Sequence, residues 1–271
     1  MQRLDFALTS CGLLHCMLGI IDWGIGGIGV YKLIKERRPE VSVVYFSDTG
    51  VTPYGKMSRA ELVARLNEVI GFLKTKGVTH LVIGCNAAST AIPYLDDQGV
   101  KIEGVIESAV SMTAKLKPKR LGLIGGRRTV LSGVYRKAFA AKGIEVEQRI
   151  AQPLSGLIES GDTSSEKLRA ECKRILTPLR NCSHILLACT HYPAIVNLME
   201  NFVSVETTFI DPAISLAAKT INWKLLTANG ADRFYTTGNT GLMKKAASSS
   251  FGVSISSVEL VTSGSHRKTP K

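Results

Sequence analysis

Two cysteines stand at the ends of look-alike segments. Thr79-His80-Leu81-Val82-Ile83-Gly84-Cys85-Asn86 is matched 104 positions later by Ser183-His184-Ile185-Leu186-Leu187-Ala188-Cys189-Thr190. Each is an apolar run that delivers a sulfur, and polar residues follow it: Asn86 after Cys85, and Thr190-His191 after Cys189. A cysteine that only fills a core needs no such neighbours. At a strand end facing a helix N-terminus, the dipole and nearby donors favour the thiolate. One thiolate and one thiol on opposite walls of a cleft form a base and an acid around a bound carbon. Removing a proton from one face and returning one to the other inverts that centre, provided the site stabilises the developing negative charge. His191, two residues beyond Cys189, is a further candidate for moving protons.

A second stretch offers a rival chemistry. Ile21-Asp22-Trp23-Gly24-Ile25-Gly26-Gly27-Ile28-Gly29-Val30 fits G-x-G-x-x-G after the apolar run Leu18 to Ile21, and Asp48 lies near where a dinucleotide site places its ribose-binding acid. Asp22 would repel the pyrophosphate, and Trp23 brings bulk where the backbone must come close. The repeated cysteines also have no place in a nicotinamide-dependent dehydrogenase. The favoured reading is a tight strand-to-helix turn that carries Asp22 to the reacting carbon.

The elements that must position these groups alternate strand-like and helix-like, which predicts parallel sheets wrapped by helices. Ser58 with Glu61 predicts a capping box, and Leu62, Leu66, Val69, Ile70 and Leu73 predict a helical stripe that Gly77 closes. Val78 to Ile83 then reads as a buried strand, so Cys85 falls at its carboxyl end, where open α/β sheets bind ligands. The offset recurs: Val105-Ile106-Glu107-Ser108-Ala109-Val110-Ser111 aligns with Phe209-Ile210-Asp211-Pro212-Ala213-Ile214-Ser215, and Leu18 to Ile21 with Leu121 to Ile124. This predicts two similar α/β units facing one another.

Bulk properties narrow the classes. With 271 residues and 45% apolar content the chain can build a large core. No apolar run approaches 18 residues, so a membrane span is not expected. Leu8-Thr9-Ser10-Cys11 resembles a lipoprotein cleavage site, but Asp5 interrupts a preceding segment too short for a signal peptide, and Met17 is an alternative start. The six cysteines include no C-x-x-C pair, so no metal site is expected and the thiols read as reduced and cytoplasmic. The net charge of +12 is scattered over helix-like segments without interleaved aromatics. It therefore reads as a solvated surface rather than a nucleic-acid site. The tail from Ser263 to Lys271 reads as disordered.

Together the motifs resemble the glutamate racemase family of the aspartate/glutamate racemase superfamily. The residues carrying the resemblance are Asp22-Trp23-Gly24 with Gly26-Gly27, Asp48-Thr49 with Pro53-Tyr54-Gly55, Cys85-Asn86-Ala87-Ala88-Ser89, Thr129 with Ser132 and Tyr135, and Cys189-Thr190-His191-Tyr192-Pro193. They run in one order from about Gly19 to Gly238. The resemblance implies two pseudo-symmetric open parallel-sheet domains with the active site between them. The first is discontinuous, 17–108 with 212–262, the second is 109–211, and 1–16 and 263–271 lie outside the core. It implies interconversion of L- and D-glutamate without a cofactor, supplying D-glutamate for peptidoglycan, with a small-molecule amino acid as the partner and a homodimer left open.

Residue by residue, the resemblance makes Cys85 and Cys189 the acid/base pair, with Asp22 assisting Cys85, and His191, oriented by Glu159, assisting Cys189. Trp23, Pro53, Tyr54, Gly55, Asn86, Ala87, Thr129 and Thr190 would contact the substrate. Three positions depart from the family pattern: Trp23 stands in place of Ser, Ala87 in place of Thr, and Gly126 in place of Thr. Each removes a hydroxyl, and a hydrogen bond to a charged carboxylate is worth about 1.5 to 3 kcal/mol. Racemisation of aspartate or another amino acid is therefore an alternative, as is a non-catalytic binding role.

Overall fold

The computed structural model describes residues 16–225 and 231–262. The lipoprotein-like stretch with Cys11 and the tail from Ser263 lie outside the described residues. The chain opens with β1 (Met17–Asp22), α1 (Gly27–Arg37), β2 (Val43–Ser47), α2 (Arg59–Thr75), β3 (Val78–Ile83), α3 (Asn86–Ser89), β4 (Lys101–Gly104) and α4 (Val105–Lys115). There follow β5 (Leu121–Gly125), α5 (Arg127–Leu131), α6 (Val134–Ala140), β6 (Val146–Ile150), α7 (Gln152–Glu159), α8 (Glu166–Leu176), β7 (His184–Ala188), α9 (Val196–Met199), β8 (Thr208–Ile210) and α10 (Pro212–Thr220). The last elements are β9 (Arg233–Thr236), α11 (Thr240–Phe251) and β10 (Glu259–Leu260).

Two all-parallel sheets result. One has strand order β10-β9-β2-β1-β3-β4, the other β6-β5-β7-β8. Matching β1 to β5, β2 to β6, β3 to β7 and β4 to β8 superposes the order of the four shared strands, so the repeat seen in the sequence is a repeat of topology. The strands of such sheets are covered on both faces and read as continuous apolar runs: β2 and β5 are buried at every residue.

The 104-residue register holds for β3 and β7 but slips at the third matched segment. Val105 begins α4, whereas its partner Phe209 lies within β8, and α10 starts three residues later at Pro212, capped by Asp211. Apolar strand ends and helix starts look alike in composition, which is why the sequence aligned them in the wrong phase.

The capping box is present: the Ser58 hydroxyl accepts from Glu61 N, and the Glu61 carboxylate accepts from Ser58 N at 2.7 Å. The predicted stripe Leu62, Leu66, Val69, Ile70 and Leu73 is buried, and Gly77 supplies the left-handed turn at φ +87°. One core cluster is common to both sheets, joining Leu18 and Ile20 of β1 and Ile28 of α1 to Ile124 of β5 and Leu154 and Ile158 of α7. The walls of the cleft are therefore set by shared packing.

Candidate active site

The catalytic candidates arrive at strand ends. Asp22 is the last residue of β1, Cys189 follows β7 directly, and Cys85 lies two residues beyond β3 as the N-cap of α3. They line one cavity of about 260 Å³, together with Thr190 and His191. Drug-sized pockets run from about 300 to 1,000 Å³, so this one suits a small metabolite. Pro53, Tyr54, Gly55 and Trp23 line it from the first sheet's loops and Asn86 and Ala87 from α3, with Thr129 facing them from α5. Glu159 is not in the lining; it stands behind His191.

On one wall Asp22 is buried and accepts from Trp23 N at 2.6 Å and from the Thr190 hydroxyl at 2.9 Å. Burial raises its pKa against the opposing effects of His191, the Cys85 thiol, Thr190 and Trp23. Burial likewise pushes the Cys85 thiol well above its ordinary value, reinforced by the charge of Asp22. Of the expected thiolate and thiol pair, Cys85 therefore takes the thiol's place. Desolvation and a neighbouring carboxylate outweigh the N–H of Ala88 that favours the anion. Cys85 is held as a thiol beside its own proton acceptor.

The opposite wall is built differently. Cys189 Sγ lies 3.6 Å from His191 Nδ1, and His191 Nε2 lies 2.7 Å from Glu159 Oε2. Burial opposes the charge on this imidazole, but the hydrogen bonds and charges of Cys189 and Glu159 carry its pKa well above the usual value. Glu159 Oε2 also accepts from Ile25 N at 2.8 Å, so the carboxylate at the end of α7 pins the glycine turn of the other sheet.

That contact decides what the glycines do. A Cβ on Gly26 would sit 2.5 Å from Thr190 Oγ1, 2.6 Å from Asp22 Oδ2 and 2.6 Å from His191 Nδ1, and one on Gly24 would collide with the Glu159 carboxylate. The missing side chains admit an acid and an imidazole where a dinucleotide site would admit a pyrophosphate. Asp48, the rival ribose ligand, is committed elsewhere: Arg65 holds it at 2.6 and 2.8 Å, and the Tyr54 and Thr237 hydroxyls donate to it at 2.7 and 2.8 Å. The dinucleotide reading fails on both counts.

The chain matches the Asp/Glu/Hydantoin racemase model over residues 18–220. It is 37% identical over 190 residues to a glutamate racemase of Aquifex aeolicus, covering 69% of this chain and 75% of that one. It is 32% identical over 203 residues to a glutamate racemase of Desulforudis audaxviator, covering 72% and 74%. Its fold matches the crystal structure of Francisella tularensis glutamate racemase in complex with D-glutamate with a TM-score of 0.81, at 25% identity, covering 92% of this chain and 98% of that one.

The chain belongs to the aspartate/glutamate racemase family. Within that frame several predicted substrate contacts take on a different character. The hydroxyl protons of Tyr54 and Thr190 are donated to Asp48 and Asp22, so these side chains brace the site. Asn86 is different. Its Oδ1 accepts from the Tyr135 hydroxyl at 2.6 Å, while its buried Nδ2 has no partner. A buried donor left unpaired costs about 1 to 3 kcal/mol, which a ligand carboxylate would relieve. Trp23 lines the cavity, and its indole N–H is turned to Val51 O at 3.1 Å, which fixes the ring against the loop after β2.

Sequence reasoning missed Gln152, Ser155 and Arg128, all in the lining. Gln152 Oε1 accepts from Arg127 N at 3.0 Å, and a Cβ on Gly126 would lie 3.1 Å from it. The glutamine thus fills space that a threonine at position 126 would claim. The signal was available: β6 corresponds to β2, whose following loop supplies Pro53 to Gly55, so the segment after β6 had to face the cleft too.

Proposed function

We propose that this racemase interconverts L- and D-glutamate by two-base proton transfer between Cys85 and Cys189, without a cofactor. The observation that carries the reading is the placement of both cysteines on one small cavity, each with its own proton partner: Asp22 beside Cys85, His191 beside Cys189. When Asp22 takes the Cys85 proton, a thiolate forms against one face of the α-carbon. It removes the α-proton while Cys189 delivers its own to the other face, and the reverse direction exchanges the roles.

The unpartnered Asn86 amide supplies a donor for the carboxylate as negative charge develops, and the imidazolium that Cys189 and Glu159 favour at His191 stands ready to return a proton to Cys189 once it has delivered its own. The domain division 17–108 with 212–262 and 109–211 is part of the same reading, supported by the membership of strands in the two sheets. So is a role in supplying D-glutamate for peptidoglycan in the cytoplasm; among the described residues no helix is long and apolar enough to cross a membrane.

The test is incubation of the purified protein with L-glutamate and, separately, D-glutamate, with no cofactor added, followed by circular dichroism. Both solutions should reach the same racemic endpoint. Inversion of aspartate with no change in glutamate would replace the substrate, and inversion of neither, nor of any other amino acid, would leave a binding protein.

A further inference from the structure

A depression of about 550 Å³ opens beside the reaction cavity, lined by Lys56, Arg59, Arg127, Arg128 and Leu131. Gly55, Lys56 and Arg128 line both, so the two are adjacent and share a wall. The cations come from both sides of the cleft: Lys56 and Arg59 from the approach to α2, Arg127 and Arg128 from the start of α5. Lys56, Arg59 and Arg127 are exposed. Arg128 is half-buried and donates to Met57 O at 2.8 Å and Thr90 Oγ1 at 3.0 Å, which anchors it across the cleft. Arg59 is held by the Tyr94 ring, 4.6 Å from its centroid.

No acidic side chain among the described residues pairs with any of the four. Burial and the proximity of Arg59 together press the pKa of Arg128 down. The self-repulsion of such a cluster has no internal remedy, and a concave surface of one sign focuses potential on its opening and concentrates counter-ions there.

We propose that this depression is an anion-recruiting vestibule, where the carboxylates of the substrate dock on Arg59 and Arg127 before passing Lys56 and Arg128 to reach the cysteines. The inference rests on the amino-dicarboxylate reading of the site. It assigns to surface arginines a share of substrate capture that neither cysteine chemistry nor the cavity lining requires.

Two measurements on the full chain test it. Arg59→Gln/Arg127→Gln should lower kcat/KM for glutamate about five- to tenfold at low ionic strength through KM, keep kcat, and flatten the dependence on salt. Lys74→Gln/Lys173→Gln removes the same charge away from both cavities and should change kcat/KM less than twofold. Calorimetry with glutarate, a dicarboxylate without a stereocentre, needs no turnover and should show the same five- to tenfold weakening in the arginine variant. Equal behaviour of the two double variants, or unchanged glutarate binding, overturns the vestibule. So does a fall in kcat with the salt dependence intact. A parent protein that binds glutarate through these arginines but racemises neither enantiomer would instead refute the proposed reaction alone.

Discussion

Replacing Glu159 with glutamine isolates the charge behind His191. The Glu159 Oε2 atom accepts both from Ile25 N, at 2.8 Å, and from His191 Nε2, at 2.7 Å. A glutamine oxygen can occupy the same point and accept both bonds, so the turn and the ring keep their places while the negative charge goes. A charge-assisted hydrogen bond is worth about 1 to 2 kcal/mol more than a neutral one, which corresponds to about five- to thirtyfold in rate if felt in the transition state.

Losing an anion that favours imidazolium also lowers the His191 pKa. The limb of the pH profile at which activity falls as His191 deprotonates must move to lower pH. L- and D-glutamate are equal in free energy, so the fall in kcat/KM must be the same from both sides, an internal check on the assay. Initial rates from each enantiomer across pH provide the measurement. A Glu159→Gln enzyme with kcat/KM within twofold of the parent and an unmoved limb would refute the role given to this carboxylate.

Other expectations follow from single contacts. Gly26→Ala, at a φ of −55° that alanine adopts freely, places a methyl against Asp22, Thr190 and His191. Activity should drop on the order of a hundredfold while thermal melts shift only a few degrees, because misplacement by about 1 Å is costly to catalysis. Asp211, the N-cap of α10, has its pKa raised to about 6 by burial, against 3.8 for an ordinary aspartate. The folded chain keeps this proton where the unfolded chain has lost it, so the contribution to stability is full below about pH 4 and declines as pH rises to about 6. Asp211→Asn, an equally good cap, should stabilise the protein at pH 7 by about 3 kcal/mol and remove that decline, as denaturant midpoints at pH 4 and pH 7 would show.

Much of the site was legible because its residues sit at strand ends, where sequence pattern is strongest. Cys85 and Cys189 were found from the repeat, and Asp22 from its place ahead of a glycine turn. Glu159 and Thr129 came from resemblance alone. What the pattern could not reveal depends on the meeting of two units distant in sequence. The thiol state of Cys85 follows from burial that both walls create. The occupation of the Thr190 hydroxyl follows from Asp22, 168 positions away in the other unit. The role of Gln152 emerges only when Gly55 and Gly126 converge on it from opposite sides.

The central claim is that each cysteine serves one face of the α-carbon. Cys85→Ser and Cys189→Ser, incubated in deuterated water with each enantiomer, test it most directly by nuclear magnetic resonance of the α-proton. Neither variant should racemise at an appreciable rate, and each should wash deuterium into one enantiomer only, the opposite one in the two variants. Exchange into both enantiomers by the same variant, or racemisation at the parent's rate by either, would contradict the two-base account.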